Sequence, residues 1–417
     1  MSMATDAENL KPAERRFCPA HVPTDKIRSL DAYNDPRMRV DPIGTVLDAY
    51  SGGPIFWNDI DAGFKRGCWV ITGAADQRKI LMSPDFQNNN YVNLQGLVGE
   101  RWKLIPTGID GDLHKKMRAV MTPWFTPQAL AKYNDAIDQR ANELIDQFVD
   151  RGECEFIADF GFPFPISIFL EVLGLPVSRM PEFVEWEHDM LSQSDFARAA
   201  AATEKVLTVL RELIEERRDD PRDDLATAVV QAEFEGRPLT DDEMMGMLFG
   251  FFLGGLDTVT TSLGMHFYEL ASNQSLQDFL RANPEKINVA VEEMLRRYSP
   301  VSPRRQAMKD VEIHGVTIKA GDWVQLPTLL GSLDPTEFPD PMTVDLDRKN
   351  KRHLAFVTGI HFCLGHVLAR RELHSAYATW LKRLPSFRVG DRSELKAHGG
   401  MTVGYQTLPI VWDASQL

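Results

Sequence analysis

Across residues 127–300 the pattern of apolar and polar positions is mostly helical, broken by polar stretches such as Arg217-Arg218-Asp219-Asp220-Pro221-Arg222-Asp223-Asp224. The clearest helix starts at Thr240, which forms a capping box with Glu243, and no proline interrupts the chain from there to about Ala271. At 1.5 Å per residue such a helix is ~45 Å long, enough to cross a whole domain. It contains the longest apolar run, 244–256, which is too short to span a bilayer and ends at Asp257, so a buried helix is expected. A further start lies at Asn283-Pro284, an N-cap with proline at the first helical position, followed by the stripe Ile287, Val291, Met294, Leu295 and Tyr298. Strand signals are fewer: Cys68-Trp69-Val70-Ile71-Thr72, then Val311-Glu312-Ile313 and Val316-Thr317-Ile318 around a His314-Gly315 turn. The predicted fold class is mainly α with small β-sheets, α+β.

Composition changes this picture little. The 417 residues are 43% hydrophobic and 25% charged, which suits one large or two medium cores. We read 1–417 as one domain with an irregular N-terminal segment over 1–36. That segment is polar and has no apolar h-region, so neither a signal peptide nor a membrane anchor is expected. Cys18, Cys68, Cys154 and Cys363 lie far apart with no CxxC pairing, which argues against a disulfide framework or a zinc site and suits a reducing cytoplasm. A net charge of −14 disfavours general nucleic-acid binding. One segment opposes that average: Arg348, Lys349, Lys351, Arg352, Arg370 and Arg371 occur with no Asp or Glu between residues 348 and 371. These cations either pair internally, are solvated, or form a docking patch for an acidic electron carrier.

Two stretches carry candidate chemistry. In Phe356-Val357-Thr358-Gly359-Ile360-His361-Phe362-Cys363-Leu364-Gly365 a lone cysteine is flanked at short spacing by an aromatic, two glycines and a histidine. That fits a thiolate presented to a metal by a tight loop. A free thiol, with a pKa of about 8.5, is mostly protonated at neutral pH, so the site must favour the anion with backbone donors, positive charge or the metal. Gly359 and Gly365 let main-chain N–H groups turn toward the sulfur. A helix predicted from His366 would aim its positive end there, and Phe356 would shield one side. Taken alone, Cys363 also reads as a small buried core residue. The second stretch is Gly254-Gly255 in mid-helix, costing about 1 kcal/mol each relative to Ala, followed by Asp257-Thr258 in apolar surroundings. Paired glycines allow a local widening where a flat ligand or a small gas molecule approaches the backbone.

Phe356, Gly359, His361, Cys363 and Gly365 match every fixed position of the haem-binding loop of the cytochrome P-450 family, the haem-thiolate monooxygenases, which this decapeptide resembles. Gly254-Gly255-Leu256-Asp257-Thr258 resembles the oxygen-activation motif of the same family. The resemblance implies the cytochrome P-450 fold, haem b with Cys363 as axial iron ligand, and O2 as co-substrate. It implies further that Thr258 hydrogen-bonds the oxygen and that Asp257 relays protons, since O–O heterolysis to water needs two of them. Taken alone, Thr258 also reads as bonding back to a helix carbonyl and Asp257 as meeting a nearby Arg. Glu293 and Arg296 resemble the Glu-x-x-Arg motif, with Arg348 as third member, in a structural role. His114 and Arg118, four apart on a predicted helix, resemble the family's contact with a haem propionate, and Arg305 and His361 are the other candidates by position.

The resemblance covers nearly the whole chain and is nearest the soluble bacterial camphor-hydroxylase type, sharing Asp340-Pro341-Met342-Thr343-Val344-Asp345 and Leu408-Pro409-Ile410-Val411-Trp412-Asp413. Trp102 departs from it, standing where that type carries a substrate-binding tyrosine, which puts camphor itself in doubt. By position, Trp102, Leu253, Gly254, Val301, Met401 and Thr402 wall the substrate pocket. An apolar lining with few polar anchors implies hydroxylation of a small terpenoid. Electrons would come from a ferredoxin of the 2Fe-2S kind and its reductase, docking near Lys349, Lys351 and Arg352, and the location would be cytoplasmic. Two alternatives stay open: a peroxide-driven enzyme of the same fold, and a haem-based sensor or carrier without turnover.

Overall fold

The computed structural model describes residues 17–30, 35–39, 41–60, 67–90, 92–191, 195–255, 257–399 and 402–417. Its helices of more than ten residues are α1 (Gly111–Met121), α2 (Asn134–Asp146), α3 (Pro163–Leu173), α4 (Met180–Leu191), α5 (Phe196–Asp219), α6 (Asp241–Gly255), α7 (Asp257–Ser272), α8 (Ile287–Arg297) and α9 (His366–Arg383). The capping box at the start of α6 closes in both directions: Thr240 N–H donates to Glu243 Oε2 at 2.8 Å, and Glu243 N–H to Thr240 Oγ1 at 3.3 Å. Leu256, between α6 and α7, lies outside the described residues. Residues 241–272 are long and apolar enough to cross a membrane, yet 65% of their most apolar window is buried inside the protein. This is how a helix that is hydrophobic all round behaves at the centre of a large core.

Two sequence-based boundaries move. The polar break expected from Arg217 begins later, because Arg217 is fully buried within α5, its Nε donating to Asp224 Oδ2 at 2.7 Å and its Nη2 to the Gly174 carbonyl at 2.6 Å. That buried pair carries the helix to Asp219. At Asn283 the side chain does not cap; it donates back to the Phe279 carbonyl at 2.8 Å, and a short 3₁₀ turn over Pro284–Lys286 precedes α8. The predicted stripe Ile287, Val291, Met294, Leu295 and Tyr298 is buried.

The main sheet contains β1 (Ile27–Arg28), β2 (Ile55–Asn58), β3 (Cys68–Ile71), β4 (Phe86–Gln87), β5 (Arg304–Ala307) and β6 (Trp323–Gln325), in the spatial order β1-β2-β3-β6-β5-β4. β1 falls inside the segment expected to be irregular and pairs parallel to β2, Ile27 opposite Trp57. β5 lies antiparallel to β6 with Arg305 opposite Val324, which fixes Arg305 on the sheet. Val311–Ile313 and Val316–Ile318 form the expected hairpin, turning through His314 and Gly315 at φ +51° and +72°. One large apolar cluster fills the helical part, and a smaller one, including Trp57, Trp69, Ile71 and Val324, lies against the sheet.

Glu293, Arg296 and Arg348 meet in the core. Arg296 donates through Nε and Nη2 to the two Glu293 oxygens at 2.9 and 2.7 Å, and Arg348 Nε donates to Glu293 Oε1 at 3.0 Å. The remaining guanidinium groups bond carbonyls of the segment leading to the cysteine loop: Pro341 and Thr343 from Arg296, and Pro339, Asp340 and Thr343 from Arg348.

Candidate active site

Tight turns build the cysteine loop. Gly359 has φ +77°, and a Cβ there would meet the Leu81 carbonyl oxygen at 2.5 Å, so only glycine fits without displacement. Val357, a β-branched residue at φ +53°, holds a conformation disfavoured for its type. Cys363 N–H donates to the Phe356 carbonyl at 3.1 Å, closing the loop. Burial pushes the Cys363 thiol up, while the Gly365 N–H and the charges of Arg118 and Arg370 pull the other way. α9 starts at His366 with Gly365 as its N-cap, so its positive end lies beside the sulfur. The Phe356 ring is buried, with the Arg370 guanidinium 4.4 Å from its centroid.

On α6, the paired glycines have different surroundings. A Cβ on Gly255 would lie 2.9 Å from Phe169 of α3, whereas one on Gly254 would have no atom within 4 Å. Gly255 admits a packed neighbour; Gly254 opens onto space. Thr258 Oγ1 donates to the Gly254 carbonyl at 3.3 Å, a long bond, and Thr261 Oγ1 donates to Asp257 Oδ1 at 3.1 Å. Leu253, Asp257 and Thr258 are only half-buried although they sit midway along the apolar stretch 241–272.

A cluster of two histidines and two arginines completes the site. The rings of His114 and His361 lie 4.4 Å apart, His361 Nε2 is 2.9 Å from Asp110 Oδ1, and Arg118 Nη1 donates to the Ile360 carbonyl at 3.4 Å. Arg305 is buried and its charge reaches both histidines. Burial, then the charges of His361 and Arg118, push His114 down to about 4, and neither of its ring nitrogens has a hydrogen-bond partner. Burial alone would raise the Asp110 carboxyl, but the hydrogen bond with His361 and the N–H groups of Asn88 and Asn89 outweigh it and hold it low.

The family model described as "Cytochrome P450" matches residues 170–403. A relative named "Probable cytochrome P450 127A1" from Sinorhizobium fredii is 36% identical over 94% of this chain and 96% of its own length. The chain belongs to the cytochrome P450 family. "Mycinamicin IV hydroxylase/epoxidase" of Micromonospora griseorubida is 31% identical over 82% of this chain and 89% of its own. The crystal structure of "Cytochrome P450 CYP101C1" superimposes with a TM-score of 0.86 at 29% identity, covering 95% of this chain and all of that one. The protein is accordingly a cytochrome P450 monooxygenase, and the family uses haem b and O2.

The residues present fit haem b. Leu253, Leu364, Leu368 and Ala369 of this P450 pack on the core yet keep partly open faces, and Gly365, like Gly254, has no atom within 4 Å of a would-be Cβ. Apolar open faces suit a flat ring. The unpartnered His114 nitrogens, next to Arg118, Arg305 and His361, suit its carboxylate edge.

Of the pocket candidates, Val301 and Thr402 pair as an isolated antiparallel bridge, whereas Met401 lies outside the described residues. Trp102 is buried against Phe249 of α6, ring centroids 5.7 Å apart. Its only donor, Nε1–H, goes to Glu100 Oε2 at 2.9 Å, and Glu100 also pairs with Arg211 of α5. The basic stretch divides. Arg348 pairs with Glu293, Arg370 with Glu292 and Arg371 with Asp138, while Lys349, Lys351 and Arg352 are exposed. Sequence reasoning missed Asp110 and Glu100. Asp110 precedes α1, where Asp usually caps, but its side chain makes no cap bond and receives His361 instead.

Proposed function

We propose that this P450 hydroxylates a small apolar substrate, a terpenoid, with electrons from a 2Fe-2S ferredoxin and its reductase. What carries the reading is the combination of a loop that presents Cys363 to Gly365 N–H and the α9 N-terminus with the opening on α6 at Gly254, beside Asp257 and Thr258. When bound through the Cys363 thiolate, haem b supplies O2 activation, with sulfur electron density favouring O–O cleavage.

The chain's own groups do the rest. His114, Arg118, Arg305 and His361 bind the propionates and orient the ring, His361 being held by Asp110. Phe356 and Gly359 shape the loop, and Phe356 keeps water from the sulfur. Thr258 holds a proton at Oγ1 beside the reacting atoms, and Asp257 replaces it through its carboxyl. Glu293, Arg296 and Arg348 keep the loop's lead-in segment in place. Trp102, Leu253, Gly254, Val301 and Thr402 wall the substrate pocket, to which sequence position adds Met401. With the indole N–H of Trp102 committed to Glu100, that wall offers few donors, which favours a hydrocarbon-rich substrate. Lys349, Lys351 and Arg352, which are exposed, receive the acidic ferredoxin. A soluble cytoplasmic protein folded as one domain suits the absence of paired cysteines among the described residues.

The test is spectroscopic. Reduced protein with carbon monoxide should show the strongly red-shifted Soret band of thiolate ligation, and Cys363→Ala should abolish it together with turnover; a normal Soret position overturns the reading. A terpenoid library screened for the low-to-high spin change then identifies the substrate. Turnover with ferredoxin that Thr258→Ala abolishes separates it from a peroxide-driven enzyme.

A further inference from the structure

Glu292 and its neighbour Glu293 on α8 serve different networks. Glu293 closes the core cluster described above, whereas Glu292 joins the segment that leads into the cysteine loop to the helix that leaves it. Glu292 Oε2 lies 3.2 Å from His353 Nε2, and Arg370 of α9 donates to both its oxygens, Nε to Oε1 at 2.5 Å and Nη2 to Oε2 at 3.1 Å. Burial alone would raise this carboxyl, but the hydrogen bonds from His353 and Arg370 outweigh it and hold it down at about 2, so Glu292 is an anion at neutral pH.

Arg370 is fixed on its other edge as well. Its Nη1 lies 2.9 Å from His366 Nδ1 and donates to the His366 carbonyl at 3.3 Å. All three guanidinium nitrogens are thus occupied, and the group stays flat over the Phe356 ring, 4.4 Å from its centroid, although the side chain is 33% exposed. Phe356 belongs to the cysteine loop, its carbonyl receiving the Cys363 N–H at 3.1 Å. The Arg370 charge reaches Cys363 and favours the thiolate, in the same sense as that of Arg118.

We propose that Glu292 is a positioning residue for the reduction step: it holds the Arg370 charge against Phe356, and these two opposed charges set how readily the ferric iron accepts an electron. The electron comes from the carrier named above, one per ferric iron converted to ferrous, and no bond to the sulfur is made or broken. Glu292 acts through Arg370 and touches no reacting atom. Reduction adds a negative charge at the iron, so a nearby anion opposes it and a nearby cation favours it. Removing one partner at a time therefore moves the potential in opposite directions, a signature that loss of packing alone does not give.

The holoenzyme can be titrated against a redox dye of known potential. At a fixed solution potential, Glu292→Gln should raise the ratio of ferrous to ferric protein several-fold, Arg370→Gln should lower it several-fold, and the double variant should lie close to wild type. Glu292→Asp, which keeps the charge, should restore most of the wild-type ratio. Ratios that do not move, or that move in the same direction in both single variants, overturn the proposal. The inference rests on Cys363 as the iron ligand, and the two failures separate. A normal Soret band in the carbon monoxide complex of the wild type overturns that reading and this one together, whereas a red-shifted band with unmoved ratios overturns this one alone. If Glu292→Gln does not fold, Arg370→Gln decides the case, a lowered ratio sustaining the proposal and an unchanged or raised one overturning it.

Discussion

Two buried polar clusters of similar composition differ in one respect. Around Glu293, the guanidinium groups of Arg296 and Arg348 find a carboxylate oxygen or a carbonyl, and even the Asp345 N–H joins at 3.0 Å. Around His114, the His361 ring lies 4.4 Å away and the charges of Arg118 and Arg305 act on it, yet both His114 nitrogens stay unpartnered although the ring is buried. A completed network fixes geometry within the chain, whereas buried ring nitrogens without a protein partner suit a polar group of a bound cofactor. The same contrast recurs between Gly255, packed on Phe169, and its neighbour Gly254, which is open.

The largest expected effect tests the completed side. Glu293→Ala strands two buried guanidinium groups and should cost about 3–5 kcal/mol in urea unfolding; a loss below about 1 kcal/mol would mean the cluster is not what holds the segment. Next, Gly255→Ala should destabilise by about 1–3 kcal/mol through overpacking against Phe169. Gly254→Ala should instead raise stability by about 0.5–1 kcal/mol through helix propensity while weakening the substrate-induced spin change, and equal midpoints for both variants would erase the distinction.

On the incomplete side, the His114 ring has its pKa lowered from 6.5 to about 4 in the folded protein. On acidification the unfolded chain therefore takes up this proton first, so stability is lost from about 6.5 down to about 4 and no further below. Relative to His114→Phe, the wild-type apoprotein should lose melting temperature across that window, whereas a difference independent of pH would contradict a neutral buried ring. The smallest effect belongs to the surface. Lys349→Glu or Arg352→Glu should slow reduction by ferredoxin several-fold at low salt, with the difference fading as salt screens it; kinetics indifferent to both would remove the docking site.

Local chemistry was the most legible in the sequence. The cysteine loop, the Thr240-Glu243 box and the Glu293-Arg296 pair each fit within a few residues, so spacing alone brings their members together. Contacts made by the fold were not. Asp110 reaches His361 across 251 positions, and Glu100 reaches Arg211 across 111. The cations between residues 348 and 371 divided for the same reason, three of them meeting acids supplied from distant helices. Arg217 reads as a loop residue because charge signals exposure, but a partner seven residues on makes its burial tolerable.

Glu100 ties the indole of Trp102 to Arg211 with a single carboxylate. In the pocket proposed above, a guest bulky enough to push that indole aside would also strain a hold on α5, so its size would register on a different helix. Admission and recognition then share one fastener, and loosening it by mutation should widen the range of accepted molecules at the expense of discrimination among them.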